Sequence, residues 1–164
     1  MLRVREAFDG HRLEPLVLLL IGTGLRRGEA LGLAWSDVDL DAGTVNVHRS
    51  LTVVANKPVL SDFLKTDSSV RVASVAPFAI EAVRRLERSQ SIRSLDRSGL
   101  LFTTSTGTPW DPNNALRTFR TICQRAGLGS RHLHELRHAL PARCCDRASR
   151  WKWSVGNSGA SHWR

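Results

Sequence analysis

The sequence predicts an α+β fold, mainly helical, in which helices pack around a small three-stranded antiparallel sheet. Three observations carry that expectation. An apolar run over 12–23 is broken at Gly22-Thr23-Gly24 and resumes as good helix formers from Leu25 to Leu33. The period then shortens to two, with Val45 and Val47 alternating with Asn46 and His48. Two further stretches with helical spacing open on proline, at Pro77 and Pro112.

Taken in order, 12–23 forms a helix, the glycine-flanked corner turns it, and 25–33 forms a second helix. Asp41-Ala42-Gly43 turns the chain into a half-buried strand at Val45–Val47. Two more strands fall around Val59-Leu60 and over Val70–Val75, with "KTDSS" as the polar turn between them, and these complete the three-stranded sheet. "PFAIEAVRRLERSQ" places Pro77 in the first helical turn and Ile80, Val83 and Leu86 three residues apart, the mark of an amphipathic helix. Polar "SIRSLDRSG" leads to a short extended piece, "LLFTT". Asp111-Pro112 then caps and opens a helix carrying Leu116, Phe119, Ile122 and Cys123, which Gly127 ends. A last helix begins near His132.

With 164 residues, 41% hydrophobic and 24% charged, the chain has the makings of one domain with a real core rather than a disordered segment. The longest apolar run, Leu16–Ile21, is far too short to cross a bilayer and no cleavage-type site follows it, so no membrane association is expected. Cys123, Cys144 and Cys145 form neither a disulfide framework nor a C-x-x-C metal clasp, which fits a reducing cytoplasm. Lys+Arg 24 against Asp+Glu 15 gives a net charge of +9, and such a surface draws polyanions, nucleic acid above all. The plainer alternative is a basic, solvated face.

"LHELRH" at 133–138 admits two chemistries. As H-E-x-x-H, His134 and His138 would hold zinc with Glu135 as general base, the pattern of a zinc metallopeptidase. As H-x-x-R, His134 and Arg137 share one helix face, with Cβ atoms about 5–6 Å apart, and grip one phosphate. The zinc reading needs a third ligand, and Cys144, Cys145, Asp146 and His162 have no recognised spacing. It also leaves Arg26 and Lys65 without a role, so the phosphate reading is preferred and no metal is expected.

"TGLRRGEALGLAWSDVDL" decides the matter, since Gly24-Leu25-Arg26, Glu29, Leu33 and Trp35-Ser36-Asp37-Val38-Asp39 agree in order with the first arginine box of the tyrosine recombinases, the phage integrase family, which the chain resembles. Read without the family, Arg26 follows a glycine corner at a helix start, where backbone amides favour an anion and a guanidinium fork matches two phosphate oxygens. The competing reading makes Arg26 or Arg27 a solvated charge paired with Glu29. "KTDSSVRVASV" resembles the family's β-hairpin lysine segment, with Lys65 at the matching position, and "HLHELRH" resembles its third box, with His134 and Arg137 matching. His138 also matches but is assigned to helix packing.

The resemblance implies site-specific DNA recombination or integration on double-stranded DNA, without metal or nucleotide cofactor. It gives Arg26, Lys65, His134 and Arg137 catalytic roles around one phosphate and Glu29 a supporting one. Preorganised donors around a pentavalent phosphorane act as an oxyanion hole does, each worth roughly 3–4 kcal/mol of barrier. The family's nucleophile is a tyrosine that holds the DNA as a covalent ester. The chain contains Tyr 0, so no nucleophile is assigned, and it is expected to be an inactive fragment, a residual DNA-binding module or a partner of an intact recombinase subunit.

The expected division is 1–140, a partial catalytic domain that starts one helix before the first box and without the family's N-terminal clamping domain, and 141–164, an aberrant tail. "PARCCDRASRWKWSVGNSGASHWR" is rich in Arg and Trp with no clear period. One origin is a DNA-binding tail using Arg147, Arg150 and Lys152 with stacking Trp151 and Trp153. The preferred one is a frameshift near His138, with exposed core surface and marginal stability as its consequences.

Overall fold

The computed structural model describes residues 2–62, 70–91 and 99–129. In chain order these form helices α1 (Leu2–Phe8), α2 (Glu14–Thr23) and α3 (Arg27–Leu31), then a 3-10 turn at Trp35–Asp37. Strands β1 (Val38–Asp39), β2 (Thr44–Val47), β3 (Ser50–Val54), β4 (Lys57–Ser61) and β5 (Arg71–Ser74) follow. Helices α4 (Pro77–Ser91) and α5 (Pro112–Arg125) complete the set. The fold is the expected mixture of helices and small antiparallel sheet. Among the described residues no helix is long and apolar enough to cross a membrane.

The apolar run over α2 has no polar face, and Leu16 through Gly22 are all buried, so this helix is the centre of the core. It ends because Gly24 takes φ 68, a conformation open to glycine, and returns its amide to the Leu20 carbonyl at 3.0 Å. That reversal throws Arg26 to the surface. The core continues through Phe8, Leu31, Val45, Val47, Leu51, Leu101 and Phe119, with the Phe8 and Phe119 rings stacked at 5.2 Å. In α5 the Asp111 carboxylate accepts from the amides of Asn113 and Asn114, and Gly127 takes φ 66 just past the helix, as expected.

Four expectations are corrected. The second helix occupies only Arg27–Leu31, because Arg26 is extended at φ −69, ψ 149 and Gly32 closes the other end. Two helices, not one, precede the first arginine box. The three-stranded sheet has the order β1-β2-β5, with Val45 opposite Ala73 and Val47 opposite Arg71. Val59-Leu60 belongs to β4, which pairs with β3 in a separate two-stranded ribbon, and Val38–Asp39 takes the third place in the sheet. Local periodicity reports that a segment is extended. It does not report which distant segment it pairs with, and here β3 and β4 are inserted between two strands that are spatial neighbours.

The ribbon is seated on α3 by close backbone approach. A Cβ on Gly28 would lie 2.6 Å from Ser50 Oγ and 2.8 Å from the Leu51 carbonyl oxygen, and one on Gly32 would lie 3.1 Å from the Leu51 amide nitrogen. Glycines one turn apart therefore let the β3 backbone lie directly on the helix that follows Arg26.

Candidate functional site

Arg26 is the N-cap residue of α3, and Glu29 is the third residue of that helix, 1% exposed. Burying a carboxylate is costly unless its oxygens are filled. Here they are. Glu29 Oε2 accepts from the Arg26 amide at 2.8 Å and Oε1 from Arg26 Nη1 at 3.1 Å. Arg71, first residue of β5, donates Nη1 to Oε1 at 3.3 Å and Nη2 to Oε2 at 2.9 Å. Burial by itself would raise the carboxyl pKa. The hydrogen bond from Arg71, the Arg26 amide, the Arg71 charge and the Arg26 side chain outweigh it, and the pKa falls below its ordinary value. Glu29 is thus an anion at neutral pH.

The Arg26 side chain remains 59% exposed although one terminal nitrogen is engaged. The alternative weighed from the sequence, a pairing of Arg26 with Glu29, is therefore present in the structure, but it does not consume the guanidinium. For the neighbouring Arg27, burial lowers the pKa, the Asp111 charge opposes the change and the Arg120 charge adds to it.

Farther along the same box, the buried Asp37 accepts from the Ala34 amide at 2.8 Å and from Arg49 Nη2 at 2.8 Å, with His48 Nδ1 at 3.7 Å. Asp37 thereby ties the Trp35–Asp37 turn to the chain between β2 and β3. A cleft of about 540 Å³, lined by Arg12, Glu14, Arg85, Gln90, Thr104 and Trp110 among other described residues, includes neither Arg26 nor Glu29 in its lining.

Of those residues, the structure brings together Arg26 and Glu29. Lys65, His134 and Arg137 lie outside the described residues, as do His138, the rival zinc pattern and the tail. No group of His, Cys, Asp or Glu that could hold a metal occurs among the described residues. Sequence reasoning missed Arg71, Arg49 and the structural weight of Asp37. The available signal was Glu29 itself: a carboxylate followed in sequence by Ala30, Leu31 and Leu33 calls for cationic partners once it is buried.

The sequence profile of the phage integrase family matches residues 3–146, nearly the whole chain. The chain belongs to the phage integrase family. It is 32% identical over 162 residues to a protein described as tyrosine recombinase XerC-like from Caldanaerobacter subterraneus subsp. tengcongensis, covering 88% of this chain and 41% of that one. A 62-residue stretch, 38% of this chain and 14% of the relative, is 40% identical to prophage integrase IntR of Escherichia coli K12. The chain therefore spans less than half the length of either relative. Among solved structures, XerA recombinase superposes with a TM-score of 0.66 at 27% identity, covering 83% of this chain and 44% of that one. The Tn1549 transposon integrase in complex with transposon right end DNA gives 0.71 at 19% identity over 83% of this chain and 48% of that one, a likeness of fold. The integrase catalytic-domain fold expected from the arginine box is thus the fold observed.

Proposed function

We propose that this phage integrase family chain engages double-stranded DNA by gripping one backbone phosphate with Arg26, and that Lys65, His134 and Arg137 complete the grip. The observation that carries this reading is the Arg26 guanidinium, fixed on one side by a buried, ionised Glu29 and open to solvent on the other. A planar fork that is preorganised and half-exposed suits two oxygens of a phosphodiester. The net charge of +9 adds long-range attraction for the duplex. In strand exchange, Arg26 and Arg137 neutralise charge developing on the non-bridging oxygens, His134 adds a donor, and Lys65 protonates the departing alkoxide.

These 164 residues contain Tyr 0, so the chain as it stands supplies no phosphotyrosyl linkage. Binding without cleavage is the activity proposed for it: it occupies recombination sites or joins an intact recombinase subunit there. The assignment of 1–140 as a partial catalytic domain and of 141–164 as an aberrant tail belongs to the same reading.

The test is titration of the chain against a fluorescent duplex over a series of salt concentrations. Arg26→Ala is expected to weaken binding to all sequences alike and to lower the slope of log affinity against log salt by about 1. A suicide substrate is expected to trap no covalent adduct. An unchanged affinity and slope in Arg26→Ala, or an adduct, overturns the proposal.

A further inference from the structure

We propose that Arg71 is a positioning residue of the phosphate site, acting through Glu29 to fix the direction in which the Arg26 guanidinium faces solvent. The inference rests on the reading of Arg26 as a phosphate ligand. Its grounds are the distribution of donors over one carboxylate. Each Glu29 oxygen takes one hydrogen bond from Arg26 and one from Arg71: Oε1 receives both Nη1 atoms, and Oε2 receives the Arg26 amide and Arg71 Nη2. Turning the carboxylate about its Cγ–Cδ bond breaks all four. The Arg26 amide is fixed at the N-cap but holds Oε2 alone, so by itself it leaves Oε1, and the Arg26 guanidinium on it, free to swing. Arg71 bridges both oxygens from β5, whose backbone pairs with Val47. Among the described residues, Arg71 is the charged partner that ties this carboxylate to an element outside α3.

Arg26 and Arg71 both bring a terminal nitrogen to the same Oε1, at 3.1 and 3.3 Å, so the position of that oxygen is shared between them. Orientation and charge make different predictions for lysine, which keeps the charge but cannot span both oxygens.

The test is a double-mutant cycle on the full chain, with duplex binding as readout. Arg71→Ala and Arg71→Lys are each expected to weaken binding by about tenfold, and this loss should vanish in an Arg26→Ala background. Wild-type affinity in Arg71→Lys would reduce Arg71 to a source of charge and overturn the inference. The same would follow if Arg71→Ala cost equally with or without Arg26. If Arg26→Ala alone left binding unchanged, the phosphate reading would fail and this inference with it. A pH series adds a readout that lost packing would not move. In Arg71→Ala the buried Glu29 takes up a proton more readily, so as the solution is acidified its duplex affinity should begin to decline at a higher pH than that of wild type. A parallel pH profile, or a relative gain, counts against positioning. Should Arg71→Ala fail to fold, Arg71→Lys carries the cycle and the pH series alone.

Discussion

Glu29 and Asp37 are both buried, and each accepts from the backbone amide three residues before it, that of Arg26 and that of Ala34. Each also takes a guanidinium from beyond β2, Arg71 for the first and Arg49 for the second. What stands outside differs. Glu29 holds a second guanidinium that is 59% exposed, whereas the Arg49 side chain on Asp37 is only 20% exposed. One carboxylate therefore presents charge to solvent and the other joins two pieces of backbone. Similar local chemistry gives a solvent-facing guanidinium in one place and a fastening in the other, and the direction of the cation decides which.

The largest effect expected from this contrast is on stability at the fastening. Asp37→Ala leaves Arg49 without its partner and the Ala34 amide without its acceptor, at a cost of about 3 kcal/mol, readable as a lowered thermal midpoint. The reverse is expected of Glu29→Gln: a smaller loss of about 1–2 kcal/mol, with duplex affinity reduced out of proportion to it. If both variants lose stability and binding in the same ratio, the contrast is wrong.

Next comes the seat between α3 and β3. Gly28→Ala drives a methyl group into Ser50 and Leu51 and should destabilise by about 1–3 kcal/mol, measured by urea denaturation. Its effect on binding should resemble that of Glu29→Gln, because α3 carries both Arg26 and Glu29.

Acid sharpens the same comparison. The folded-state pKa of Glu29 lies below its unfolded value of 4.5, so ionised Glu29 stabilises the fold at higher pH. That contribution is complete above the unfolded value and is lost as the pH falls below 4.5 through the lowered folded value. Melting curves should therefore show a steeper acid decline in wild type than in Glu29→Gln. A control closes the series. Ala55 and Asn56 both have positive φ in the two-residue β3–β4 turn, and Ala55→Asn should add roughly 0.5 kcal/mol while leaving binding unchanged.

Several elements whose cause lies within a dozen residues were legible from the sequence, although the short span of α3 and the β3–β4 hairpin, equally local, were not. The unbroken apolar run gave α2, the glycine its end, and Asp111-Pro112 the start of α5. At Arg26, the position that the arginine box matches, the side chain is largely exposed. The rest of what was not legible depends on contacts across long separations. The Arg71–Glu29 pair spans 42 positions and exists because β2 pairs with β5. The same pairing moved Val59-Leu60 out of the sheet, where alternation alone had put it.

The rung that joins Val47 to Arg71 has a further consequence. The whole excursion between them, β3 and β4 included, enters and leaves the sheet at a single level. The tip of the β3–β4 ribbon, at Ala55 and Asn56, can then be lengthened or exchanged, provided that the footing of β3 on Gly28 and Gly32 is kept. Evolution and the protein engineer share that freedom: the tip is open to grafting, while the seat of the ribbon is not.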